Sequence, residues 1–244
     1  MSKLRVATFQ RRPRFRDIPR ILERLRADLE WCDDEGVDLA LFPECYLQGY
    51  VLDRPTLNGV ALAIEHDVTF RGLLARLAPI RSTFVLGFVE RRERFVFNTG
   101  AAIRHGAVLG AYRKAHLHRK EQAFDPGFDC PIFEAAGWKF GINICYDANF
   151  PSAAAKIASQ GARLICYPIN NMLPTEVADR WRSKSICNLR RRAAETGCWV
   201  VSSDVVGEHE AMVCHGCTCV VSPAGDVVAR VDEGHEGVVL FDCG

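Results

Sequence analysis

The chain has 244 residues, 48% hydrophobic and 25% charged, with a formal net charge of +1. That size and balance predict one soluble α/β domain over 1–244 with room for a sizeable core. Basic clusters are offset by nearby acids and no apolar run approaches a membrane span, so neither nucleic acid nor a membrane is an expected partner.

The first residues run straight into a strand pattern with no signal sequence, and the eleven cysteines are odd in number and scattered. Reduced thiols and a cytoplasmic location are therefore expected. Leu4 to Gln10 alternates as a strand, and Asp17 caps a helix whose Ile18, Ile21, Leu22, Leu25 and Leu29 recur at helical spacing. Gly36 ends that helix, and Val37 to Phe42 forms a second strand closing at Pro43-Glu44. This β-α-β unit sets a carboxylate at the C-terminal end of a strand, where ligand sites of open α/β sheets collect. Val68 to Leu77 reads as a helix and Thr83 to Glu90 as a strand. A hairpin follows, Phe95 to Arg104 and Ala107 to Tyr112, turning at His105-Gly106.

Lys114 lies just past that hairpin, and a polar loop from His118 to Asp129 leads to the run Phe140, Ile142, Ile144. That run ends at Cys145, and Pro151-Ser152 opens the next helix, stopped at Gly161. A thiol placed just before a helix N-terminus feels its positive end, which favours the thiolate. Further on come a strand over Arg163–Tyr167, a long helix over Thr175–Thr196 and a strand over Cys198–Ser203. The last strands surround Gly216–Ser222, Asp226–Val231 and Val238–Phe241. Interleaved strands and helices with extra hairpins predict mixed rather than purely parallel sheets.

Three strand ends thus carry Leu41-Phe42-Pro43-Glu44, Arg113-Lys114-Ala115-His116-Leu117 and Ile144-Cys145-Tyr146-Asp147 with Phe150-Pro151. Each residue alone has a plainer reading: Glu44 as a turn cap, Lys114 as a surface cation, Cys145 as a core thiol. Together and in this order the segments resemble the three signatures of the nitrilase superfamily of carbon–nitrogen hydrolases, and the resemblance covers nearly the whole chain. It implies a four-layer α-β-β-α sandwich of the nitrilase type, commonly a homodimer or higher homo-oligomer, with neither cofactor nor metal.

The resemblance assigns Cys145 as nucleophile, Glu44 as general base and Lys114 as oxyanion partner. A thiolate suits a poor electrophile such as an amide carbon, a buried carboxylate can take its proton, and a fixed cation stabilises the oxyanion. The Tyr146 N–H is the natural second oxyanion donor. Glu121 is the candidate second glutamate of the family, although its spacing to Phe124 is one residue short and Lys120 takes the expected place. His116 and His118 invite a Cys–His dyad; His116 belongs to a Lys-x-His-Leu pattern in which it is structural. Cys214-His215-x-Cys217-x-Cys219 holds soft metal ligands but has no partner pair at zinc-site spacing.

Tyr146-Asp147 follows the nucleophile where nitrilases typically have Trp-Glu, so the resemblance favours a small-molecule amide over a nitrile as substrate. Ala148 and Asn149 stand where carbamoyl-amino-acid hydrolases place an arginine. Tyr46, Tyr50, Asn149, Asn170, Asn171 and Met172 are the pocket candidates, a set suited to a small, neutral or weakly polar substrate. The alternatives are N-carbamoyl amide or nitrile hydrolysis, acyl transfer to an amine, and a catalytically silent member serving as a binding or scaffold subunit.

Overall fold

The computed structural model describes residues 3–244. The chain begins with β1 (Leu4–Gln10), α1 (Ile18–Asp34) and β2 (Leu39–Leu41). A short helix the sequence reading missed, α2 (Arg54–Val60), precedes α3 (Val68–Leu77). Then come β3 (Thr83–Arg92), β4 (Phe95–Arg104), β5 (Ala107–Arg113), β6 (Ile132–Ala135), β7 (Trp138–Ile142) and α4 (Pro151–Ala158). The last part runs β8 (Leu164–Pro168), β9 (Leu173–Pro174), α5 (Thr175–Thr196), β10 (Trp199–Ser203), β11 (Gly207–His209) and β12 (Met212–Cys214). It closes with β13 (Cys219–Val221), β14 (Val227–Arg230) and β15 (Gly237–Cys243).

Two six-stranded sheets form, in the orders β15-β1-β2-β3-β4-β5 and β14-β13-β10-β8-β7-β6. Both are mixed, and both repeat one pattern. From β15 the pairings run antiparallel, parallel, parallel, antiparallel, antiparallel. From β6 they run the same way. Parallel neighbours need a crossover helix, so α1 and α4 take corresponding places, as do α3 and α5.

Strand alternation builds the layers. Leu4 and Val6 of β1 face the second sheet, while Ala7 and Phe9 face α1 and α3. On the other side, Leu164 and Cys166 of β8 face the first sheet, and Ile165 and Tyr167 pack on α4 and α5. Helix–sheet, sheet–sheet and sheet–helix cores therefore stack into an α-β-β-α sandwich. The third, three-stranded sheet, β11-β12-β9, lies outside this scheme; none of its strands carries a long apolar run. Among the described residues no helix is long and apolar enough to cross a membrane.

Two helix boundaries show why local sequence suffices for long elements. The Asp17 side chain accepts from the Arg20 N–H, capping α1. Gly197 closes α5 in the left-handed region at φ 67°, a conformation that costs glycine nothing.

Candidate active site

Glu44 lies just past β2, in a turn whose next residue, Cys45, takes φ 48°. The turn sits directly on β3: a Cβ built on Gly87 would lie 2.2 Å from the Pro43 carbonyl oxygen. Gly87 therefore has no substitute that leaves Glu44 where it is. Lys114 follows β5, and its N–H donates to the Asn98 carbonyl at 2.9 Å. Glu121 sits in the tight loop beyond, where its Oε2 accepts the His118 N–H at 2.7 Å.

These three side chains meet in the interior. The Lys114 ammonium donates to Glu44 Oε1 at 2.8 Å and to Glu121 Oε1 at 2.7 Å, all three residues being fully buried. Asn98, which sequence reasoning did not single out, donates to Glu44 Oε1 at 2.7 Å and to Glu121 Oε1 at 3.4 Å. Its only cue was an amide inside a strand of otherwise apolar and small residues. Two of the three ammonium hydrogens are thus used and one is left. Glu44 Oε2, also buried, has no hydrogen-bond partner among the described residues.

Electrostatics follows from this packing. Burial pushes the Glu44 carboxyl above the usual carboxylate range, against the pull of Lys114. Burial alone would lower Lys114, but Glu44 beside it, with smaller contributions from Cys145 and Glu121, holds it well above the ordinary lysine value. The cation is permanent.

Cys145 does not end a strand. β7 stops at Ile142, and Cys145 opens a 3₁₀ turn over Cys145–Asn149, itself at φ 42°. A non-glycine residue in this region is strained and is held by its surroundings. Asp147 supplies the hold. Its Oδ2 accepts the Ile144 N–H at 2.8 Å and the Tyr112 hydroxyl at 2.9 Å; its Oδ1 accepts the His116 N–H and ring Nδ1 at 2.9 and 2.8 Å. This buried carboxylate ties the Cys145 turn to the strand that delivers Lys114.

The field of a helix end does not decide the state of the thiol. The helix α4 begins only at Pro151, and burial, then the neighbouring Glu44, push the Cys145 thiol well above its ordinary value. Lys114 and a hydrogen bond from the Asn170 N–H oppose this without reversing it. Cys145 at rest is a thiol, not a thiolate.

Cys145 opens into a cavity of ≈ 380 Å³ that Lys114, Glu121 and Tyr146 also line. Of the pocket candidates, Tyr50, Asn149, Asn170, Asn171 and Met172 line it. Tyr46 does not. It is 2% exposed in the helix-side core of the first sheet, its ring stacked on Phe42 at 5.7 Å. The left-handed turn at Cys45 sends Glu44 and Tyr46 to opposite sides of that sheet. Residues not foreseen also line the cavity: Trp181, Ser185 and Asn188 from α5, and Arg119 and Lys120 from the loop after Lys114. The α5 face was hidden because its pocket side is polar and reads as solvated.

Neither histidine contacts Cys145 by a hydrogen bond. His116 is bonded to Asp147 and stacked on Phe150 at 3.9 Å; the His118 ring Nδ1 accepts the Lys120 N–H at 3.3 Å and its ring meets Tyr146 edge-on. The cysteine-rich run from Cys214 to Cys219 divides, Cys217 and Cys219 bonding each other while its other members take separate partners. Cys214 donates to the Val205 carbonyl at 2.9 Å, His215 pairs with Asp179 at 3.1 Å, and Cys219 lies 3.3 Å from the Ser202 hydroxyl. Among the described residues no three His, Cys, Asp or Glu side chains are grouped to hold a metal ion.

The family model described as carbon–nitrogen hydrolase matches residues 5–243. A Pseudomonas protegens protein described as a hydrolase in the pqqF 5′ region is 34% identical over 236 residues, spanning 94% of this chain and 79% of its own. The deaminated glutathione amidase of Rattus norvegicus is 35% identical over 220 residues, spanning 82% of this chain and 64% of that protein. Among solved structures, an amidase from Nesterenkonia sp. superposes with a TM-score of 0.85 at 25% identity, covering 99% of this chain and 90% of that one. Nit3 of Saccharomyces cerevisiae, a member of branch 10 of the nitrilase superfamily, gives 0.86 at 24% identity, over 99% and 90%.

Proposed function

The chain belongs to the carbon–nitrogen hydrolase family, and on that premise we propose that it hydrolyses a small linear amide through a thioester on Cys145. The observation that carries the reading is the buried Glu44–Lys114–Glu121 cluster beside a strained thiol at the wall of a cavity.

Because the resting sulfur is protonated, attack needs a base. Glu44 Oε2 has lone pairs free of hydrogen bonds and sits on a carboxyl whose affinity for protons is raised by burial. It takes the Cys145 proton as the sulfur bonds to the amide carbon. The carbonyl oxygen becomes an oxyanion, which the third Lys114 N–H and the Tyr146 N–H stabilise. Glu44 returns the proton to the departing nitrogen, the C–N bond breaks, and ammonia or an amine leaves. Water then gives a proton to Glu44, attacks the thioester carbon, and releases the carboxylic acid and the thiol. Glu121 acts through Lys114: sharing the ammonium with Glu44, it fixes the direction of the remaining N–H.

Amide substrates are favoured over nitriles by the Tyr146-Asp147 pair, while the relatives include both amidases and nitrilases. Arg119 and Lys120 are exposed at the cavity rim and suit an acyl group that carries negative charge at its far end.

The test is intact-mass detection of an acyl adduct after exposure to a panel of amides, with ammonia release measured in parallel. The adduct should map to Cys145 and disappear with ammonia release in Cys145→Ala. Full turnover by that variant sinks the mechanism.

A further inference from the structure

Asn171 stands where the active-site cavity meets a narrow crevice behind it, and lines both; Asp204, at the end of β10, lines only the crevice. Asp204 is fully buried. Its Oδ1 accepts the Val205 N–H at 2.8 Å, the Asn171 N–H at 3.0 Å and the Cys214 thiol at 3.6 Å. Among the described residues its Oδ2 accepts only the Asn171 side-chain amide, at 2.9 Å.

An ionised carboxylate accepts and never donates, so the Asn171 amide has to turn its NH₂ to Asp204. The Asn171 Oδ1 is then turned the other way, and among the described residues no protein donor reaches it. The same logic runs along a second chain on this wall. The Tyr146 carbonyl takes the Asn149 amide N–H at 3.1 Å, Asn149 Oδ1 takes that of Asn188 at 3.0 Å, and Asn188 Oδ1 is left over. Two amides on one cavity wall are thereby set as acceptors by groups that cannot donate.

We propose that Asp204 is a positioning residue for specificity: it locks Asn171 as a hydrogen-bond acceptor, so the acyl group best taken by this site carries a donor, a hydroxyl or an N–H. The proposal rests on the amide-cleaving reading of Cys145 for its substrate, but the lock itself does not.

The lock responds to pH. Burial pushes Asp204 up to about 7, with the hydrogen bonds from Asn171 and Val205 opposing it. Two backbone N–H groups hold Oδ1, so a proton settles on Oδ2. That O–H donates to Asn171, whose amide turns over and shows its NH₂ to the cavity. The groups facing Asp204 are few. Cys214 comes from β12, and Cys217 and Cys219 lie around the start of β13. His215 and Arg182 share the crevice but are paired with Asp179 and Glu233. Arg11 meets Asp204 only at its carbonyl, its guanidinium being held by Asp28.

The experiment compares linear amides of matched length ending in a hydroxyl or a methoxy group, since the first can donate and the second only accepts. At pH 8 kcat/KM should favour the hydroxyl by about tenfold at the length that reaches Asn171. The ratio should fall as pH drops through 7, and in Asp204→Asn it should move towards the methoxy amide and become independent of pH. The side-chain amide resonances of Asn171, identified by their loss in Asn171→Ala, should titrate with a midpoint near 7 and lie flat in Asp204→Asn. Flat resonances in the wild-type chain, or an unchanged ratio in Asp204→Asn, overturn the proposal. Titrating resonances in a chain that turns over no amide support the lock and count against the amide-cleaving reading instead.

Discussion

Glu44 and Asp204 are both fully buried carboxylates at the C-terminal ends of strands with a parallel neighbour, one in each sheet. Burial raises both above the usual carboxylate range. Their company differs. Glu44 has a cation at 2.8 Å and one oxygen left bare; Asp204 has no cation bonded to it, and neutral donors reach both of its oxygens. A carboxylate with a bare oxygen can exchange a proton with a substrate or thiol. One whose oxygens both accept from neighbouring groups fixes the orientation of those neighbours. The same buried carboxyl group thus stands beside a cation in the first sheet and beside an amide in the second.

Removing the cation breaks this contrast most severely. Lys114→Met leaves Glu44 and Glu121 buried without a counter-charge, and should abolish turnover and cost roughly 3–5 kcal/mol of stability, read from Tm or denaturant midpoints. Adding Glu44→Gln to that variant should restore part of the stability and none of the activity. Glu44→Gln alone should fold normally and lower kcat by about 10²–10⁴-fold. In the wild-type chain kcat should fall on the acid side as Glu44 gains its proton, at a pH above the range of solvated glutamates, since its value is raised.

Gly87→Ala tests the seat of Glu44 rather than its charge. The added methyl meets the Pro43 carbonyl, so the turn must shift, and kcat should drop by roughly a hundredfold while KM moves little. Asp204→Asn should act on stability with a definite sign. The folded value, about 7, lies above that of a solvated Asp. Its contribution to stability is therefore complete below the ordinary carboxylate range and is lost as pH rises through 7. Tm of the wild-type chain should fall between pH 5 and 8 relative to that of Asp204→Asn; parallel curves would place Asp204 outside this account. The smallest effect is expected from Tyr46→Phe. The Tyr46 hydroxyl is buried without a hydrogen-bond partner, so its removal should leave activity unchanged and alter stability by about 1 kcal/mol or less.

Much of the architecture was legible because its signals are local. The apolar spacing of α1 and α5, the Asp17 cap and the Gly197 stop each depend on neighbours a few residues away. Short elements were not: α2 and the strands β9, β11 and β12 carry too few residues for a period to emerge. Glu44, Lys114, Glu121 and Cys145 were found in the sequence as strand-end or loop residues, and the fold brings Lys114 into contact with both glutamates.

What the sequence determined by itself was therefore which residues stand at the strand ends and which family pattern they make. The tertiary structure alone decided their states. The helix end near Cys145 favours a thiolate, and burial with Glu44 beside it pushes the thiol the other way. Tyr46 looked like a pocket residue, and one left-handed residue before it turns it into the core. Asn171 looked like a generic amide, and Asp204, thirty-three positions away, is what fixes the way its side chain faces. Proton affinity and amide polarity depend on what surrounds a side chain in space, and no local spacing carries that information.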